Sequence, residues 1–154
     1  HETSVTRFLL ERLPESALEW RPHEKSFSLA ELATHLARVI DWGVPILERP
    51  SYDLATSAGA RRPALASRAE IVEAFDAAVA RLRARVIDLS DAELHAPWEL
   101  RRAGQLVLVM PRFSALRRFA LHHLIHHRGQ LTVYLRLHDV PLPPLYGPTA
   151  DEGA

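Results

Sequence analysis

The stretch His122-His123-Leu124-Ile125-His126-His127-Arg128-Gly129-Gln130 holds four of the chain's nine histidines. On a helix, residues four apart share a face with Cβ atoms ~5–6 Å apart, close enough to share one ion. Two such pairs are present, His122/His126 and His123/His127, and they point roughly 100° apart. Spacing alone does not choose between them. Either pair needs a third ligand from elsewhere, so the natural setting is the inside of a helical bundle.

The helix that carries this run starts near Pro111, since proline is tolerated in a first turn. It runs to about His138, before Pro141, Pro143 and Pro144 forbid continuation. Its stripe reads Leu116, Ala120, His123, His127, Gln130 and Tyr134. Upstream, Ser28-Glu31, Ser67-Glu70 and Ser90-Glu93 each form a Ser-x-x-Glu capping box, which marks a helix start. Leu32, His35, Val39, Trp42 and Ile46 follow the first box, and Ile71, Phe75, Val79, Leu82, Val86 and Leu89 the second, all at helical steps. The third box opens only a short helix before Pro97. Val5, Leu9, Leu10 and Leu13 end a first helix near Pro14, whose beginning is expected upstream of His1 because the chain does not start with Met.

Two connectors remain. Pro50 to Ala66 is polar and proline-punctuated, and Trp98–Leu100 with Gln105–Met110 around Ala103-Gly104 fits a small hairpin. Four long helices with one long crossover predict an all-α four-helix bundle, a single domain over residues 1–154.

Composition narrows the chemistry. Nineteen basic and nineteen acidic residues cancel, so neither nucleic acid nor an anionic membrane surface is indicated as a partner. The arginines at Arg61-Arg62, Arg81/Arg83/Arg85, Arg101-Arg102 and Arg117-Arg118 read as solvated faces. No apolar run reaches the ~18–20 residues of a membrane span and no signal-peptide pattern is present, which predicts a cytoplasmic protein. There is no cysteine, so any thiol chemistry must use a thiol brought in by a substrate.

His35, His123 and His127 all fall on the apolar stripes of their helices and are expected to face the core. Three buried imidazoles are hard to satisfy without an ion or a polar network. Three such ligands leave a position open, as catalytic sites do. Separately satisfied core histidines fit the spacing too. His122 and His126 form the competing pair, and the lack of a Glu inside the run excludes the HExxH pattern. Gly129 costs about 1 kcal/mol relative to alanine inside a helix, which a close approach by a neighbouring helix or neutral tolerance would each explain. Arg128 is available to a carboxylate but reads more simply as a surface residue. Gln130 and Tyr134 follow His127 on its stripe, next to the ion or as core polar residues held by the backbone.

The blocks Leu13-Pro14-Glu15, Trp20-Arg21-Pro22-His23-Glu24-Lys25-Ser26, Leu29-Ala30-Glu31-Leu32-Ala33-Thr34-His35 and His123 through Leu131 stand in a characteristic order. Val133-Tyr134-Leu135-Arg136 and Tyr146-Gly147-Pro148-Thr149-Ala150-Asp151-Glu152 come after them. This sequence resembles the DinB-like family, the DinB/YfiT metalloenzyme superfamily. The resemblance implies a bundle of up-down-down-up topology, commonly a homodimer. It also implies a three-histidine site for a divalent transition metal, zinc or nickel foremost. Its ligands match His35, His123 and His127, with His122 and His126 left as neighbours. Arg128, His126, Gln130 and Tyr134 become candidates for lining the pocket or backing the ligands.

Members of the superfamily resemble enzymes that use low-molecular-weight thiols. The expected activity is therefore metal-dependent transfer of a small thiol to an electrophile. A metal-dependent hydrolase and a non-catalytic metal-binding dimer of the stress response are the alternatives. A fourth protein ligand, for which His23 and His95 are available, would favour the non-catalytic reading.

Overall fold

Each of the three Ser-x-x-Glu boxes opens a helix in a computed structural model, which describes residues 1–57 and 63–152. Ser28 accepts from the Glu31 amide while Glu31 accepts from the Ser28 amide, and α2 (Leu29–Val39) begins there. Ser90 and Glu93 make the same reciprocal pair at the short α6 (Asp91–His95). At α5 (Arg68–Val86), Ser67 caps the Glu70 amide, but Glu70 turns back to Ala66 instead. α1 (Glu2–Leu10) precedes these, and α8 (His122–Arg136) closes the helical set.

Leu9, Leu10 and Leu13 from the first helix and its end, Leu32 and Leu36 from α2, Ile71 and Phe75 from α5, and Leu124, Leu131 and Leu135 from α8 form one buried cluster. Removing that apolar surface from water is the main stabilising term, roughly 25 cal/mol per Å². Gly43, at the start of α3 (Gly43–Glu48), lets α5 come close: a Cβ there would lie 2.5 Å from Leu82 Cδ1.

The remaining elements overturn the predicted all-α four-helix bundle of up-down-down-up topology; the fold is mixed α/β. β1 (Ser51–Asp53), α4 (Leu54–Ser57), β2 (Pro97–Arg102) and β3 (Gln105–Pro111) occupy the stretches read as connectors. The sheet order is β1-β2-β3, with β1 parallel to β2 (Tyr52 opposite Leu100) and β3 antiparallel to β2 (Trp98 opposite Met110). The hairpin turn falls at Ala103 (φ 50°) and Gly104 (φ 79°), as the sequence suggested. Asp53 accepts from both turn amides, at 2.9 and 2.6 Å, and so ties β1 to the hairpin.

The sheet has its own core. Trp98 and Leu100, two residues apart on β2, bury one face against Ile46 and Ala115. The physical reason for the correction is local. Val107 and Val109 favour extended backbone, and the three-residue β1 is too short to show any alternation.

The long last helix is also interrupted. α7 (Arg112–Leu116) passes through a π-helical turn at Arg117–Leu121 before α8 begins. No helix among the described residues is long and apolar enough to cross a membrane. The Arg61-Arg62 pair lies outside the described residues.

Candidate metal centre

α2 and α8 pack side by side and bring three imidazoles together. His35 Nε2 lies 3.2 Å from His123 Nε2, which lies 2.9 Å from His127 Nε2. Two imidazole nitrogens that each bind one ion at ~2.0–2.1 Å stand about 2.9–3.4 Å apart for right-angled to tetrahedral arrangements. The observed separations fall in that range.

The far sides of the rings decide what the near sides present. His127 Nδ1 lies 2.7 Å from Gln130 Oε1, an acceptor, so its proton sits on Nδ1 and its Nε2 carries a bare lone pair. The Phe119 backbone, one turn back, favours a proton on the His123 ring. The three Nε2 atoms thus converge at hydrogen-bond distance from one to the next. One cation could be shared by all three, and a ring N–H held by an amide oxygen, as at His127 and Gln130, is a usual backing of metal-binding histidines.

All three groups are shifted toward the neutral, ligating form. Burial, then the neighbouring His127 and His123, pushes His35 down to about 4. Burial and His127 lower His123 against the Phe119 bond, and burial lowers His127 against the Gln130 bond.

The three rings are half-buried rather than in the core. The buried face of α8 is Leu124, Arg128, Leu131 and Leu135, one position on from the stripe expected. His122 and His126 lie outside the cluster, although His126 makes a ring contact with His127 and, after burial, its charge helps lower the pKa of His123 and His127. His23 Nδ1 takes the Lys25 amide and His95 bonds to the Asp91 backbone, so neither joins the three. Tyr134 donates to the Phe27 carbonyl beside the site.

Arg128 lies elsewhere: 1% exposed, its guanidinium reaches Glu2 Oε2 at 2.7 Å and the Tyr146 hydroxyl at 2.6 Å. Space around Gly129 is open, so no neighbouring backbone explains that glycine. Phe27 was not foreseen as part of the site. It immediately precedes the capping Ser28, where an apolar residue reads as a helix staple.

The family model of the DinB superfamily matches residues 1–131. The chain belongs to the DinB superfamily. Within it, the chain is 27% identical to the uncharacterised protein YrdA of Bacillus subtilis (strain 168), over 99% of this chain and 86% of the relative. The fold is shared with solved DinB-like proteins. One is YjoA of Bacillus subtilis, with TM-score 0.71, 20% identity and coverage of 95% of this chain and 92% of that one. Another comes from Bacillus cereus ATCC 10987, with TM-score 0.67, 22% identity and coverage of 94% and 91%. This DinB-superfamily chain thus carries a three-histidine cluster compatible with a divalent metal.

Proposed function

We propose that the chain is a metal-dependent enzyme that transfers a small thiol to an electrophile, with His35, His123 and His127 as the metal ligands. The observation that carries the metal reading is the convergence of three imidazole Nε2 atoms, 3.2 and 2.9 Å from one to the next. A bound divalent ion supplies the positive charge that lowers a thiol's pKa and stabilises thiolate at neutral pH. The chain's own groups do the rest. Gln130 backs the His127 ring, α2 and α8 hold the rings in place, and Tyr134 anchors the Phe27 backbone beside the site.

Two facts support a thiol as the substrate. The chain has no cysteine of its own to compete for the ion. Among the described residues, three metal-ligating groups converge, which leaves room for an outside ligand. The cytoplasm, where small thiols are kept reduced, is the compartment that suits this chemistry. A homodimer belongs to the same proposal.

The test is turnover of chlorodinitrobenzene with a small thiol by the metal-loaded chain. Activity should vanish in His35→Ala and in metal-free protein. Equal turnover without metal would overturn the mechanism.

A further inference from the structure

Two clefts reach the histidine cluster from different sides. One, of about 360 Å³, is lined by Phe27, Glu31, Thr34, His35, Arg38 and Ala64, with Pro63. The other, of about 430 Å³, is lined by Pro22, Lys25, Phe27, His127, Val133 and Tyr134, with Ser26 and Gln130. They share Phe27, whose ring stands 5.9 Å from the His35 ring and 6.4 Å from the His127 ring. The Phe27 backbone is pinned on both sides of this divide. Its carbonyl takes the Tyr134 hydroxyl, and the next residue, Ser28, caps α2. His123 lines neither cleft.

The two sides differ in chemistry. Arg38 comes one helical step after His35 on α2, and its guanidinium is anchored through Nη1 to the Pro63 carbonyl at 3.0 Å. It makes no ion pair among the described residues, whereas the Glu31 carboxylate in the same cleft accepts from the Ser28 amide and lies 3.6 Å from Arg21, so Arg38 has charge to offer a ligand there. A planar guanidinium held in this way suits a carboxylate. Across Phe27, Pro22, Val133 and the Tyr134 ring make an apolar wall suited to a carbon electrophile, with the exposed Lys25 on the same cleft.

We propose that the site binds two substrates at once, one on each side of Phe27, with Arg38 holding the carboxylate of a small thiol acid and the electrophile entering beside Val133. This rests on the thiol-transfer reading and specifies its substrates. In the reaction the S–H proton passes to solvent and the sulfur electron pair forms the new S–C bond. The leaving group departs with the electrons of its bond to carbon, as chloride does from chlorodinitrobenzene.

The test uses the cobalt-loaded chain, titrated with mercaptopropionate and with uncharged mercaptoethanol while its near-ultraviolet and visible spectrum is monitored. Arg38→Gln should weaken mercaptopropionate roughly tenfold or more and leave mercaptoethanol unchanged. Ala64→Trp, which fills the Arg38 side, should weaken thiol binding. Val133→Trp should leave thiol binding intact yet abolish turnover of chlorodinitrobenzene at saturating thiol. Retention of one cobalt per chain shows that each variant is folded at the site.

If neither thiol perturbs the cobalt spectrum of the unaltered chain, the thiol-transfer reading fails and this inference with it. If both thiols bind but Arg38→Gln does not separate them, or Val133→Trp weakens thiol binding as much as Ala64→Trp does, the two-cleft assignment alone is overturned.

Discussion

His127 meets the cluster through one ring nitrogen and Gln130 through the other, so the amide decides which lone pair an ion sees. Gln130→Leu should cost roughly 10–100-fold in metal affinity while leaving the fold intact, measured by competition with a chelating dye. Unchanged affinity would remove Gln130 from the site. The depressed pKa of His35, about 4 against ~6.5 for a free imidazole, has a second consequence. Between those values the unfolded chain binds a proton that the folded chain does not. The stability of metal-free protein is therefore full above this window and falls as pH drops through it. Its melting temperature should decline from pH about 7 to about 4.5, less steeply in His35→Gln; identical slopes would contradict the shift. At this scale the sequence was informative wherever chemistry tracks spacing. His123, His127 and Gln130 are related by helical steps, and His35 sits on a stripe of its own. Phe27 and the Phe119 carbonyl carry no such signal, because a staple residue and a backbone oxygen look the same whether or not a site lies beside them.

At the scale of elements, the capping boxes located the starts of α2, α5 and α6 because the motif is itself a set of hydrogen bonds. The interior of the last helix was less legible. A π turn at Arg117–Leu121 adds about one residue to the winding and shifts the phase of every later turn. Extrapolating the stripe from Leu116 through α8 therefore misjudged which residues are buried. Leu124 and Arg128 turn inward, and the histidines sit at the edge, where a substrate can reach them. Gly129 is a second case. It is exposed, mid-helix and unopposed, so Gly129→Ala should stabilise the chain by about 1 kcal/mol in denaturant unfolding. A destabilised variant would mean that something packs on this face.

At the scale of the molecule, the β2–β3 hairpin was legible around Ala103-Gly104, but β1 and its place in a three-stranded sheet were not. Its strands lie in segments where proline and polar residues read as linkers, and β1 becomes a strand only by pairing with β2 far along the chain. The two ends of the chain are joined by an equally non-local contact. Glu2, Arg128 and Tyr146 close a triad around the buried guanidinium, with Tyr146 donating to Glu2 Oε2 at 2.7 Å. Burial raises the Glu2 pKa, but the hydrogen bonds from Tyr146 and Arg128 outweigh it and leave the carboxyl below its usual value. The pair is therefore ionised at neutral pH. Glu2→Leu, which strands the buried guanidinium, should cost about 3 kcal/mol of stability without loss of metal, seen in paired unfolding and metal analyses. Loss of metal in that variant would show that the triad and the histidine cluster are one unit.

The central claim is that His35, His123 and His127 hold an ion. The most direct test is the elemental content of untagged protein purified without added metal, beside His35→Ala and His123→Ala variants. The account predicts about one equivalent of a divalent transition metal per chain, absent from both variants. A chain that arrives empty, and then takes up neither zinc nor nickel, would contradict it.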